Sequence, residues 1–204
     1  MEGEKSMISR EYEIIMSSKK LLNSENVDDQ TKGLEMLEEL ANEKNKYALY
    51  ELAHLYKEGK VVDKNIKKAC NLFVFSGELG NFKSFYHAGK IFMENKDLDT
   101  AIRFFQKAKY SPEANLEIAK IYYKKMTSIH KSIPYFLEAS KLGCPEADYF
   151  LADIYILGKS VKVDFQKGKY YLNRSLRKGI EDKFHLKKMI DERMKVLRHS
   201  NSIN

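Results

Sequence analysis

Residues 48–56, with the sequence ALYELAHLY, contain the pattern that decides the fold of this chain. A small residue is followed by an apolar residue four positions later and by an aromatic residue eight positions later. Four stretches share this spacing, with small residues at Ala48, Ser84, Ala114 and Ala147 and aromatic residues at Tyr56, Phe92, Tyr122 and Tyr155. The small residues follow one another at intervals of 36, 30 and 33 residues. A period of this length predicts a stack of helical repeats, each contacting its neighbours.

Each of these stretches is predicted to be the first helix of a repeat, because its apolar residues return at helical spacing. The small residues let a neighbouring helix approach closely, and the aromatic residue fills the space between layers. We interpret the four aromatic residues as core packing; the alternative is a cofactor site.

A second helix is marked by two small residues seven positions apart. The pairs are Ala69/Ser76, Ala101/Ala108, Ser132/Ala139 and Gly168/Ser175. A glycine or proline then ends the helix, as helix termini favour, at Gly80, Pro112, Gly143 and Gly179.

The turn between the two helices is the most specific signal. It reads GKVVDKN over residues 59–65 and GKSVKVD over residues 158–164, and Lys-Ala or Lys-Gly follows at a fixed distance. This resembles the Sel1-like repeat, A-x3-L-G-x2-Y-x2-G-x-G-V-x2-D-x2-K-A-x6-A-x3-G. The resemblance implies that glycine ends the first helix, that Val packs into the core, and that Asn65 or Asp164 caps the second helix.

The resemblance covers residues 28–182, and the shorter turns of the second and third repeats bring those units closer to tetratricopeptide repeats. The fold class is therefore predicted as all-α, a right-handed superhelical solenoid of Sel1-like helix pairs with about ten helices. The predicted single repeat domain, 1–204, consists of a degenerate capping repeat at 1–45, four repeats at 46–82, 83–111, 112–145 and 146–181, a C-terminal capping helix at 182–199 and a tail at 200–204.

Composition limits the function classes. The chain has 204 residues and a formal net charge of +7, but residues 158–204 carry 13 Lys and Arg against 5 Asp and Glu. The basic excess therefore belongs to the last quarter and suggests an acidic partner at that end. No apolar run approaches the roughly 20 residues that cross a bilayer, and the N-terminus is polar. We expect a cytoplasmic protein with no membrane insertion, in which Cys70 and Cys144 are free thiols.

The sequence contains no phosphate-binding glycine loop, nucleophile elbow or zinc-ligand spacing. We therefore expect no enzymatic activity, no cofactor and no catalytic or metal-binding residue. His54 and His87 are expected to face one groove from adjacent repeats; a metal site there is the alternative to a solvated face.

The resemblance implies that the first helices line a concave groove. Residues 3, 6 and 10 positions after each small residue share the face opposite the core stripe, and their mixed charges suit an extended peptide or a helix. These groove residues are Glu51, His54, Glu58, His87, Lys90, Glu94, Glu117, Lys120, Lys124, Phe150, Asp153 and Leu157. Phe150 and Leu157 are large apolar residues on a face predicted to be wet, so they either anchor a partner or are covered by the C-terminal helix.

The basic end supplies a second candidate surface, a patch for an acidic partner or RNA. Its residues are Lys169, Arg174, Arg177, Lys178, Lys183, Lys187, Lys188 and Arg193. Tyr170 and Tyr171 lie among them, and basic residues interleaved with aromatic ones suit single-stranded RNA, although their place in the repeat predicts core packing. The Sel1-like resemblance implies a non-catalytic adaptor or scaffold that binds proteins; the alternative is an RNA- or ribosome-associated factor.

Overall fold

A computed structural model describes residues 2–108 and 110–192, without the side chains of residues 2–9 and 126. The α-helices between Glu2 and Arg177 are α1 Glu2–Leu22, α2 Val27–Asn42, α3 Lys46–Glu58, α4 Ile66–Glu78, α5 Lys83–Glu94, α6 Leu98–Lys107, α7 Pro112–Lys124, α8 Ile129–Lys141, α9 Pro145–Leu157 and α10 Phe165–Arg177. A 3-10 helix spans Met126–Ser128, and residues 186–192 are also helical. The described residues contain no strand, and the predicted all-α class is confirmed.

The chain forms two compact units, unit 1 within residues 1–109 and unit 2 within residues 110–204. In unit 1, α1 packs on α2, α3 on α4 and α5 on α6, and α2–α3 and α4–α5 contacts join the pairs. In unit 2, α7 packs on α8 and α9 on α10, and α8–α9 contacts join them. Each unit is therefore built from the helix pairs that the repeat pattern predicts.

The small residues of the pattern lie where helices approach most closely. All four first-helix positions are fully buried: Ala48, Ser84, Ala114 and Ala147. Glycines do the same work where even a methyl group would be too large. A Cβ atom added to Gly89 would lie 2.6 Å from the Phe105 ring, and one added to Gly168 would lie 2.4 Å from Cγ1 of Ile156.

The aromatic residue of each first helix packs against its own second helix. Phe92 stacks on Phe104, with ring centroids 5.2 Å apart. Tyr122 stacks on Tyr135 and Tyr155 on Tyr171, at 6.0 and 5.9 Å. In the first repeat a cation takes the place of the second ring, because the Lys68 ammonium lies 3.9 Å from the Tyr56 centroid. The predicted packing role of these aromatic residues is confirmed.

The Sel1-like turn closes through the predicted cap. Asn65 Oδ1 accepts a hydrogen bond from the Lys68 amide at 2.9 Å, and the Asn65 amide donates to the Tyr56 carbonyl at 2.7 Å. Asp164 makes the two equivalent bonds in the fourth repeat, both at 2.9 Å. The first helix ends at Gly59, whose φ of 72° places it in the left-handed region that glycine adopts without strain. The predicted caps are therefore confirmed.

The chain ends form the outer helices of the two units. The first pair, α1 and α2, buries Ile15, Leu37 and Leu40 against α3. At the other end Leu186 and Ile190 are buried against α9 and α10. The C-terminal capping helix was predicted over 182–199; residues 193–199, which include Arg193, Met194 and Leu197, and the tail at 200–204 lie outside the described residues. The repeat boundaries remain predictions.

Replacing Gly89 with alanine tests the close approach of helices. A solvent-exposed Gly→Ala change within a helix stabilises it by about 1 kcal/mol. Here the added methyl would overlap the buried Phe105 ring, so we expect the free energy of unfolding to fall by about 1–3 kcal/mol.

Denaturant unfolding measures that change. Glu94→Ala, at the exposed end of the same helix, is the control and should change stability by less than about 0.5 kcal/mol. A Gly89→Ala protein as stable as the parent would show that the α5–α6 contact can widen without loss.

Candidate partner-binding surface

The predicted groove residues of α3 line an open cleft in unit 1. Glu51, His54 and Glu58 border this cleft, which has a volume of about 140 Å³. Its other walls are Lys19, Leu22, Asn23, Leu37 and Leu55. The Lys19 ammonium lies 2.7 Å from Glu51, and the Lys60 ammonium lies 2.8 Å from Glu58. The cleft therefore combines leucine side chains with two carboxylates whose present partners are lysines on the surface.

His54 and His87 meet in a group of four rings, the ring cluster, with Tyr50 and Phe73. The two imidazole centroids lie 4.6 Å apart. His87 stacks on Phe73 at 5.1 Å with an interplanar angle of 18°, and His54 meets the same phenylalanine edge-on at 5.0 Å. The Tyr50 hydroxyl lies 3.0 Å from His87 Nε2, within hydrogen-bonding distance. The two histidines of adjacent repeats therefore contact each other, but only His54 lines the cleft, and both rings are half-buried, not solvated.

Burial sets the charge of this cluster. Desolvation lowers the pKa of His87 to about 3, with smaller contributions from His54, Lys57 and Lys83. Desolvation also lowers the pKa of His54, against the opposing pull of Glu51 and Glu58. A buried imidazole resists protonation because its charged form loses hydration. Both rings are therefore neutral at neutral pH.

The two remaining groove positions of unit 1 lie on α5. Lys90 is half-buried and takes part in contacts of the fold, and Glu94 is exposed at the end of the helix. Unit 1 thus brings Glu51, His54 and Glu58 together around one cleft, and His87 contacts His54 in the ring cluster without lining the cleft.

In unit 2 the helix face that was predicted to be exposed to solvent includes Asp153, but the Asp153 side chain is only 1% exposed. The Tyr123 hydroxyl donates to its carboxylate, and the Lys159 ammonium lies 2.7 Å from both the carboxylate and the Tyr123 oxygen. Desolvation and the neighbouring Asp153 raise the pKa of Tyr123. The prediction of an exposed Asp153 is wrong because α9 is buried on more than one face and the turn lysine folds back over this carboxylate.

Phe150 is also half-buried, but its cover comes from the preceding repeat. It stacks on Phe136 at 4.9 Å and meets Tyr123 edge-on at 5.1 Å. The cover therefore comes from α7 and α8, whereas the sequence suggested the C-terminal helix. Leu157 remains 39% exposed.

The other groove positions of unit 2 lie on α7. Lys120 pairs with Glu146 at 2.7 Å, Lys124 is exposed, and Glu117 is half-buried and engaged in contacts of the fold.

Two members of the basic patch are used by the fold itself. Arg174 Nε lies 3.3 Å from Oδ2 of Asp148, which is fully buried, and the guanidinium also donates to the Ser140 carbonyl at 3.2 Å. Lys178 donates to the Gly143 carbonyl at 3.0 Å. Lys178 is nevertheless exposed, as are Lys169, Arg177, Lys183, Lys187 and Lys188, while Arg193 lies outside the described residues. Arg174 is thus a structural residue.

The two tyrosines that lie among the residues of this patch have different environments. Tyr171 is half-buried and stacks on Tyr155, as a core residue does. Tyr170 is 57% exposed, so the core prediction is wrong for it. The Arg174 guanidinium carbon lies 5.5 Å from the Tyr170 ring centroid, within the range of a cation–π contact.

Tyr149 and Asp182 organise the C-terminal segment, and the sequence analysis missed both. The Tyr149 hydroxyl donates to Asp182 Oδ1 at 3.1 Å and accepts from the Phe184 amide at 2.6 Å. Asp182 in turn accepts from the amides of Leu186 and Lys187 at 2.8 and 2.9 Å. The available signal was a carboxylate just before an apolar helical run, the pattern of an N-terminal cap.

Neither a metal-ligand cluster nor a membrane-spanning helix is present among the residues that the structure describes. In that part of the chain no group of three His, Cys, Asp or Glu side chains could hold a metal ion. Nor does it contain a helix with the length and apolar character of a membrane span.

The Asp148–Arg174 pair is testable because the first repeat has an apolar equivalent. Residues 99 positions earlier are Leu49, which is buried, and Phe75. Arg174→Ala leaves a buried carboxylate without its cation, so we expect a loss of about 3 kcal/mol in the free energy of unfolding. The double change Asp148→Leu with Arg174→Phe should restore stability to within about 1 kcal/mol of the parent.

Urea unfolding of the three proteins measures these differences. Arg177→Ala, an exposed residue on the same helix, is the control for general effects on α10. A double variant as unstable as Arg174→Ala would show that the ion pair has a role that apolar packing cannot replace.

Comparison with known proteins identifies the repeat. The Sel1 repeat matches residues 46–81, 78–111 and 145–180, together half of the chain. A sel1-like repeat-containing protein of Acanthamoeba polyphaga mimivirus is 28% identical over 116 residues. That alignment covers 55% of this chain and 22% of the viral protein, so the chain spans about a fifth of that relative's length.

Two solved structures share the fold. A Sel1 repeat protein from Oxalobacter formigenes has a TM-score of 0.71 at 16% identity, covering 93% of this chain and 88% of its own. A protective antigen of uropathogenic Escherichia coli with an SLR fold has a TM-score of 0.66 at 22% identity, covering 72% of this chain and 33% of its own. Sel1-repeat proteins generally mediate protein–protein interactions. The matched repeats, together with the helix pairs and turns described above, show that this chain belongs to the Sel1 repeat family.

Proposed function

We propose that the chain is a non-catalytic adaptor that binds a segment of a partner protein on the first helices of its repeats. The observation that carries this proposal is the unit 1 cleft, where three of the predicted groove residues border one cavity. The general role of Sel1-repeat proteins in protein–protein interaction supports the same function.

The chemistry of the cleft favours a basic side chain of the partner, carried by an extended peptide or a helix. Leu22 and Leu55, which are half-buried, can contact the methylene stem of a lysine or arginine, while Glu51 and Glu58 can bind its charged head. Both carboxylates now pair with partly exposed lysines. Surface pairs of this kind contribute only about 0–1 kcal/mol, so a partner cation can replace them at little cost.

Unit 2 offers fewer polar contacts for a partner, because Asp153 and Phe150 are engaged within the fold. Leu157 and Lys124 are the exposed residues of its predicted groove positions. A partner bound there would make fewer charged contacts and more apolar contacts than a partner bound in the unit 1 cleft.

The alternative function, an RNA- or ribosome-associated factor, rests on the exposed part of the basic patch and on Tyr170. Phosphate contacts from Lys169, Arg177, Lys183 and Lys187 would give salt-sensitive binding with little sequence preference. This alternative is less favoured because Arg174 and Lys178 already bind groups of the fold, and because the known role of the family lies in protein binding.

Matched charge changes distinguish the two functions. The cleft variant carries Glu51→Gln together with Glu58→Gln and so loses both carboxylate charges of the cleft. The patch variant carries Lys187→Gln together with Lys188→Gln and so loses two positive charges of the basic patch. We expect the cleft variant to retain roughly tenfold less of the partner captured from native lysate, equivalent to about 1.4 kcal/mol, because two charge-assisted contacts are lost.

Quantitative mass spectrometry of affinity-captured material, with and without ribonuclease, measures this retention. The patch variant is the matched control and should retain the partner regardless of nuclease treatment. Loss of material from the patch variant alone, together with nuclease sensitivity, would favour the RNA alternative.

A further inference from the structure

We propose that the ring cluster is an acid-sensitive lock in unit 1, which holds α3, α4 and α5 together at neutral pH and loosens as the pH falls towards 5. The cluster takes Tyr50 and His54 from α3, Phe73 from α4 and His87 from α5. Its rings all lie within 5.8 Å of one another, centroid to centroid.

The geometry leaves no room for two charges. The imidazole centroids of His54 and His87 are 4.6 Å apart, so protonation of both rings would place like charges in contact. The hydrogen bond between the Tyr50 hydroxyl and His87 Nε2 adds a second constraint. When the tyrosine donates, it requires an unprotonated nitrogen on His87; a protonated Nε2 would have to donate to the hydroxyl oxygen instead, so protonation reverses this bond.

Charged groups around the cluster act in both directions. On α3, Glu51 and Glu58 favour protonation of His54, while Lys57 opposes it. On α5, Lys83 opposes protonation of both histidines, and its ammonium lies 5.7 Å from the Tyr50 ring. The two carboxylates are partly neutralised by their own lysines, Lys19 of α1 and Lys60.

Other residues of these helices complete the surroundings. On α4, Phe73 brings no charge, and Cys70, whose thiol pKa is raised by burial, stays neutral through the relevant range. On α5, Tyr86 meets His87 edge-on at 5.4 Å, and Lys90 adds a further positive charge to the helix. The carboxylates around the cluster are thus offset by lysines, and desolvation decides that the imidazoles stay neutral.

The direction of the pH effect follows from these pKa shifts. An unfolded histidine takes up a proton as the pH falls through about 6.5, whereas folding lowers the pKa of both histidines, that of His87 to about 3. Between those values the unfolded state binds more protons, so stability present above pH 6.5 is lost as the pH falls. For one histidine the unfolding constant can rise by at most roughly tenfold per pH unit.

Hydrogen–deuterium exchange of the intact chain at pH 7.5, 6.0 and 5.0, corrected for the intrinsic pH dependence of exchange, tests the lock. We expect amides of α3, α4 and α5 to lose protection by several-fold from pH 7.5 to 5.0. The helices α7 and α9 of unit 2 provide an internal reference and should change less.

Two histidine variants separate the lock from general acid sensitivity. His54→Gln with His87→Gln removes both titrating groups, so protection of α3–α5 should become nearly independent of pH. His130→Gln, at an exposed position of α8, is the control and should keep the parent's pH dependence. If the double glutamine variant does not fold, His87→Phe replaces it in the test. This variant keeps an aromatic ring against Phe73 but removes one titrating group, so the protection of α3–α5 should depend less strongly on pH than in the parent.

Either of two results would overturn the lock. One is a parent protein whose α3–α5 protection does not change between pH 7.5 and 5.0. The other is a histidine variant that folds and keeps the parent's full pH dependence, because the loss would then come from groups outside the ring cluster. Both results leave the partner-binding function untouched, since the exchange measurement contains no partner.

Discussion

Close contact between helices, made possible by small side chains, is the constraint on which the rest of this structure depends. Four small residues are fully buried where helices meet, and a larger residue at any of these positions would push the neighbouring helices apart. They are Ala48, Ser84, Ala114 and Ala147. At Gly89 and Gly168 even a methyl group would overlap a neighbouring side chain. With the backbones this close, the aromatic residues can lie flat against the partner helix of their own repeat. The two candidate binding surfaces, the unit 1 cleft and the basic patch, lie on the helix faces that this packing leaves exposed.

The first and fourth repeats show how one scaffold carries two kinds of chemistry. They share the cap, the closing glycine and the aromatic position, at a constant offset of 99 residues. At the position of His54, which joins a neutral ring cluster, the fourth repeat has Asp153, buried beneath Lys159. The apolar Leu49 is likewise replaced by Asp148, which is neutralised by Arg174. At these two positions the fourth repeat therefore uses its carboxylates inside the fold, whereas the first repeat contributes Glu51 and Glu58 to an open cleft.

The repeat pattern was sufficient to predict the helix pairs, the buried small residues and the caps at Asn65 and Asp164, because these depend on local spacing and local hydrogen bonds. Burial of Asp153 could not be predicted in this way. The prediction from helical spacing assumed that each helix has one solvent-exposed face opposite its buried stripe, whereas α9 is buried on more than one face. The role of Arg174 was hidden for a similar reason, since its partner Asp148 lies 26 positions away on another helix. The spacing predicted that His54 and His87 come close together but did not reveal their contact with Phe73.

Site-specific photo-crosslinking in native lysate tests the central claim, that the first-helix surface binds a protein partner, most directly. A photoreactive amino acid would be placed at position 23, an exposed position that lines the cleft, and in a second variant at position 187, within the basic patch. We predict a protein adduct at position 23 that survives ribonuclease treatment, and no comparable adduct at position 187. An RNA adduct at position 187, with nothing attached at position 23, would contradict the account.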